Sequence, residues 1–219
     1  MPRIHVTGNA GVGKSTLAAR IATLVGAPVF GLDDIVWKSG WKKSDPEERV
    51  PKEQALCARP SWVIDGVSGL VRESADMIVF LDYARQVSFW RCAKRNWRYL
   101  FRSRPGLPPG CPEIRIVPRL ARIIWRFPTQ VRPTLLAEFE RWKGQKTIVH
   151  IRSESELSVF MEHLASEGSP RGLKPWGRKA DRGCSSSMAL PVTLAHSLDF
   201  LRDARMHTTC RIDHRRARP

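Results

Sequence analysis

Cysteine is scarce in this 219-residue chain: Cys57, Cys92, Cys111, Cys184 and Cys210 are odd in number and form no C-x-x-C pair. That pattern excludes a disulfide framework and a zinc knuckle, and it suits a reducing cytoplasm. Acids are also short, at 21 against 37 Lys and Arg, for a formal charge of +16. Such an imbalance predicts polyanionic partners, whether nucleotides, nucleic acid or acidic surfaces. No window approaches the roughly 18 consecutive apolar residues of a membrane span. Met1-Pro2-Arg3 runs straight into a strand-like segment with no apolar signal region, so the expectation is a soluble, cytoplasmic protein without a membrane partner. The six histidines form no H-E-x-x-H or Cys/His cluster. What is present is globular: 42% hydrophobic and 26% charged residues are enough for one sizeable core with an appendage.

Residues 3–7 read as a short strand, followed by a glycine-rich stretch and a helix over 14–25, where Leu17, Ile21, Leu24 and Val25 share a face. Pro28–Leu32, Trp62–Gly66, Met77–Asp82 and Lys146–Ile151 are further apolar runs, several ending in aspartate, as buried parallel strands do. Ser44–Glu48 carries the marks of a helix start, although Pro51 blurs it. Between the last two strands lies a basic insertion. It comprises a helix over 84–103, a Pro/Gly loop over 105–112, a second helix over 115–127 interrupted near Pro118, and a return helix over 131–143. Ser153 or Ser155 caps a last helix to about Ala165. Strands separated by helices imply a three-layer α/β fold around a five-stranded parallel sheet. Residues 1–167 form the domain, and 168–219, with 11 basic and 4 acidic residues, read as a disordered basic tail.

Gly8-Asn9-Ala10-Gly11-Val12-Gly13-Lys14-Ser15 matches G-x-x-x-x-G-K-[ST], placed between strand and helix as a phosphate-binding loop must be. Glycines let backbone N–H groups curl toward phosphate oxygens, Lys14 bridges the β and γ phosphates, and the Ser15 hydroxyl holds Mg²⁺. No N-K-x-D and no L-S-G-G-Q-like segment occurs, which argues against a GTPase and a transporter-type ATPase and leaves small-molecule kinases. Asp65 or Asp82 could complete the metal shell, and Gly66 beside Asp65 favours Asp65. Asp33 and Asp34 follow the second strand, at the edge where ligands of open sheets bind. One of them orients or deprotonates an acceptor hydroxyl, or caps a helix.

From Arg85 to Arg126 there are ten arginines and Lys94 against one acid, Glu113, interleaved with Trp90, Trp97, Tyr99, Phe101 and Trp125. Arg91 and Arg95 lie one turn apart and could clamp ATP phosphates as a closing lid over about 85–130, with Arg119, Arg122 or Arg126 from the other arm. The same composition, or the tail, could instead bind nucleic acid weakly through backbone charge and stacking.

The loop GNAGVGKST, the run VFGLDDIVWKSGW, WVIDG, IVFLD and the later IIWRFP together resemble the DNA topology modulation (FlaR-type) proteins, relatives of adenylate and shikimate kinase, over residues 3–165. The resemblance implies a nucleoside-monophosphate-kinase-like fold with a mobile lid and ATP as phosphoryl donor. It also implies that Gly8 to Thr16 bind the ATP phosphates, that Asp33 and Asp65 face acceptor and Mg²⁺, and that Arg91, Arg95 and Arg126 belong to the lid. The function implied is a Mg-ATP phosphotransferase acting on a nucleotide or other small phosphate or hydroxyl acceptor. The alternative is an ATP-dependent nucleic-acid-binding regulator linked to DNA topology. Members of that family usually continue WVIDG with Asn-Tyr, whereas Val67-Ser68 follows here, leaving Arg72 as the nearest candidate for clamping an acceptor anion.

Overall fold

A computed structural model describes residues 2–98 and 111–167; the expected tail and the centre of the basic insertion lie outside them. In chain order the elements are β1 (Arg3–Gly8), α1 (Lys14–Val25), β2 (Val29–Gly31), α2 (Asp33–Val36), β3 (Trp37–Lys38), β4 (Lys42–Lys43), α3 (Pro46–Cys57) and β5 (Trp62–Asp65). They continue with α4 (Gly69–Ser74), β6 (Met77–Leu81), α5 (Arg85–Arg98), α6 (Val117–Gln130), α7 (Arg132–Arg141), β7 (Thr147–Ile151) and α8 (Glu154–Glu167). Five strands form one parallel sheet in the order β2-β5-β1-β6-β7, so the expected α/β architecture is the observed one.

The sheet is buried on both faces, which is why its strands are continuous apolar runs rather than alternating ones. Along β6, Met77, Val79 and Leu81 point to one side, where they meet Leu17 and Ile21 of α1 and Phe160 and Leu164 of α8. Ile78 and Phe80 point to the other, against Val71 of α4, Phe127 of α6 and Leu135 and Phe139 of α7. The Phe80 ring lies 5.5 Å from Phe139 and 6.4 Å from Phe127, centroid to centroid.

Two prolines fall where the sequence left a boundary open. Helix α3 starts at Pro46 and runs through Pro51, giving up one backbone donor inside the helix. Pro118 does not interrupt α6 but falls in its first turn, where an N–H has no helical acceptor in any case. Ser153, not Ser155, caps α8, accepting from the Glu156 N–H at 3.2 Å. Two elements have no expectation in the sequence reading: the short helix α4, and an antiparallel hairpin in which Trp37 pairs with Lys43 and Lys38 with Lys42. No helix of the described residues is long and apolar enough to cross a membrane.

Candidate functional site

β1 is the central strand, and the glycine loop leaves its carboxyl end to enter α1. Gly13 precedes the helix in the left-handed conformation (φ 98°) and no side chain caps α1, so its first N–H groups stay open to an anion. Gly11 is fixed by space: at φ 79°, a β-carbon there would lie 2.6 Å from the Ser88 carbonyl oxygen and 3.1 Å from the Cys92 β-carbon of α5. The loop therefore lies directly on α5. Lys14 Nζ donates to the Asn9 carbonyl at 2.8 Å, arching back over the loop. Asn9 Oδ1 accepts from the Ala10 N–H at 2.7 Å, and its Nδ2 donates to the Ile124 carbonyl of α6 at 3.2 Å. Val12, within the loop, is buried, while Thr16 is exposed in the first turn of α1.

At the end of β5, next to β1, Asp65 accepts the Ser15 hydroxyl proton at 2.6 Å. Gly31, at the end of β2, lies between two carboxylates: a β-carbon there would be 3.3 Å from Asp65 Oδ1 and 4.0 Å from Asp34 Oδ2. The structure thus brings Asp34 to the Asp65 side, and Asp33 opens α2; both aspartates are exposed.

Asp82 is not part of this group. It receives Arg132 Nε at 2.9 Å on both oxygens and His150 Nε2 at 2.7 Å. Burial opposes its ionisation, but the bonds from His150 and Arg132 outweigh it and hold the carboxyl below its usual range. Arg72 is likewise no exposed acceptor clamp: it is buried, and its Nε and Nη2 bind Glu138 of α7 at 2.8 and 3.3 Å. Burying a guanidinium costs desolvation that a neighbouring carboxylate offsets, and here that carboxylate lies 66 residues away in the sequence.

Of the three arginines expected in a lid, Arg91 meets the loop. Its Nη1 donates to the Val12 carbonyl at 2.9 Å, its other nitrogen pairs with Glu154 at the start of α8, and it lies 5.0 Å over the Tyr83 ring. Burial, with Glu154 beside it, pushes the Tyr83 hydroxyl up to about 12, so it stays protonated. Arg95 folds along α5 onto Asn96 Oδ1 (3.2 Å) and Cys92 Sγ (3.7 Å), and Arg126 is exposed on α6. Sequence reasoning missed Glu154, the Asn9 tether to α6 and the hydrogen bond from Ser68 to Glu53 at 2.6 Å. Their partners lie 15 to 115 residues apart, beyond any local pattern.

A glycine loop leaving the central strand of a five-stranded parallel sheet, with a serine–aspartate pair beside it, defines the P-loop class of α/β proteins. Among solved structures, the chain is similar to shikimate kinase from Acinetobacter baumannii in complex with shikimate (16% identity, 76% of this chain and 95% of that one, TM-score 0.44). It is also similar to shikimate kinase from Bacteroides thetaiotaomicron (17%, 76% and 97%, 0.43) and to an unliganded sugar kinase from Janibacter sp. HTCC2649 (16%, 75% and 90%, 0.41). No family model and no curated protein matches.

Proposed function

We propose that the chain is a Mg-ATP-dependent phosphotransferase that moves the γ-phosphoryl group to a nucleotide or other small acceptor. The observation that carries this reading is the Ser15–Asp65 hydrogen bond at 2.6 Å beside the glycine loop. A hydroxyl and a carboxylate are the hard oxygen donors Mg²⁺ takes when phosphate and water fill its other positions, so these two residues fit that ion. When bound, Mg²⁺ would neutralise phosphate charge. Lys14 exchanges the Asn9 carbonyl for phosphate oxygens, the open N–H groups of α1 hold the phosphates, and Arg91 supplies charge from α5. Asp34 or Asp33 orients the acceptor hydroxyl from the β2 edge, while Arg95 and Arg126 belong to a lid whose centre is not described.

The test is ADP release from ATP by the full chain across nucleoside monophosphates and small hydroxy acids, with Lys14→Ala as control. Acceptor-dependent release that falls at least about a hundredfold in Lys14→Ala, with an unchanged circular dichroism spectrum, is expected; release unaffected by that substitution removes the reading.

A second reading, binding of single-stranded nucleic acid, is favoured by one observation: Trp90, Trp97 and Trp125 are 73%, 81% and 62% exposed on the basic helices α5 and α6. Exposed indoles beside arginines stack bases. In a filter-binding assay, Trp90→Ala with Trp97→Ala is expected to weaken single-strand binding by about tenfold or more; unchanged affinity would sink this reading.

A further inference from the structure

Four buried side-chain atoms among the described residues have no hydrogen-bond partner, and three of them fall together: His5 Nδ1 and Thr7 Oγ1 on β1, and Arg72 Nη1 on α4. His5 lies beside Ile64 of β5 and Ile78 of β6, and Thr7 beside Phe80, which turns both side chains to the face that α4, α6 and α7 cover. On that face β5 and β6 are apolar, through Trp62, Ile64, Ile78 and Phe80, while the strand between them is polar. His5 and Thr7 are fully enclosed, and Arg72 is buried. The chain ties them together as well. His5 Nε2 bonds the Gly66 carbonyl, and two residues on the Ser68 carbonyl receives the Arg72 N–H at 3.3 Å. Arg72 is also the charge that acts most strongly on the His5 ring. Polar atoms left unpaired in a core each weaken folding about tenfold or more, so three in one place point to a ligand that pairs them.

The donors and acceptors define that ligand. A carbonyl only accepts, so Nε2 of His5 carries the proton, and burial with Arg72 nearby keeps the ring neutral. Nδ1 therefore presents a lone pair and requires a donor. Arg72 Nη1 offers only N–H groups and requires an acceptor, while the Thr7 hydroxyl serves either way. A halide or carboxylate would set a second lone pair against Nδ1, and a cation would meet the Arg72 charge. Water accepts from one and donates to the other, and a water inside a protein is held by two to four such partners.

We propose that His5, Thr7 and Arg72 bind an internal water molecule between β1 and α4. Thr7 immediately precedes the glycine loop, and His5 holds the carbonyl that follows Asp65, so the water links the strand behind both to α4. The site does not depend on the phosphotransfer reading.

The experiment uses the full chain without nucleotide, as wild type, Thr7→Val and Thr7→Ser, with circular dichroism to show that each is folded. Oxygen-17 magnetic relaxation dispersion counts the waters that stay inside long enough to tumble with the protein. Thr7→Val, which keeps the shape and removes the hydroxyl, is expected to lower that count by about one, and Thr7→Ser to leave it unchanged. In nitrogen-15 spectra of the wild type, the His5 Nδ1 signal, assigned through His5→Gln, is expected where a hydrogen-bonded lone pair resonates; the position of a free lone pair would overturn the proposal without any variant at the site. Urea unfolding supplies a sign. With water bound, Thr7→Val strands the His5 and Arg72 atoms and raises the unfolding equilibrium constant about tenfold. With no water, the same substitution deletes an unpaired hydroxyl and lowers the constant, and the proposal fails. It fails too if the water count is the same in Thr7→Val, or if the count drops when chloride replaces sulfate at fixed ionic strength, which would give the place to an anion.

Discussion

His5 is fully enclosed on β1, and its Nε2–H donates to the Gly66 carbonyl at 3.1 Å, immediately after Asp65. Burial first, and the Arg72 charge second, push it down to about 3, so the folded protein keeps the imidazole neutral. The unfolded chain takes up that proton near pH 6.5, so the folded state loses stability as pH falls from about 6.5 toward 3. At pH 5 the loss from this one residue is about 2 kcal/mol. Urea unfolding across pH 7 to 5 is expected to show this slope, and His5→Gln, which retains a donor for Gly66, is expected to flatten it. An identical slope in the variant would show that the acid sensitivity lies elsewhere. In the sequence His5 is one more strand residue; its chemistry comes from Arg72 and Gly66, which the fold alone brings to it.

The elements that carry the site were legible because each has a local cause. β1, the glycine loop and α1 follow from an apolar run, three glycines and a helical stripe, and the strand ends at Asp65 and Asp82 follow from buried runs stopped by a charge. Which of those aspartates meets Ser15 is decided by packing: β1 lies between β5 and β6, and it is the end of β5 that reaches the start of α1. Asp82 is instead a tie between elements, joining the end of β6 to α7 through Arg132 and to β7 through His150. Asp82→Asn removes the charge that holds Arg132 and is expected to cost about 2 kcal/mol at neutral pH. Because the carboxyl titrates below its usual range, that contribution is present above about pH 4 and lost as pH falls further. Thermal unfolding at pH 7 and pH 3 checks both, with wild type and variant converging at the lower pH. The hairpin escaped notice because strands of two residues give no period, and α4 because six residues give barely more than one turn.

At the scale of the whole chain, the charge of +16 sets up a field that any polyanion meets before it meets a site. Salt separates attraction to that field from binding in a shaped pocket. If the α5–α6 face neutralises six phosphates of a single strand, log K against log salt is expected to fall with a slope of about −4. If the glycine loop holds ATP through backbone N–H groups and few side chains, ATP is expected to show a far shallower dependence in the same buffers. Equal slopes for the two ligands would mean that the bulk field, not a surface on α5 and α6, captures the strand.

The bond from Asn9 to the Ile124 carbonyl has a consequence of its own. The helix it reaches is the one that carries Arg119 to the Trp37 ring. α6 therefore meets the glycine loop at its middle, through Ile124, and the Trp37 ring near its start, through Arg119. Whatever factor a ligand at the glycine loop imposes on binding beside Trp37, a ligand beside Trp37 must impose on the loop in return. Occupation of either place would then be felt at the other along α6.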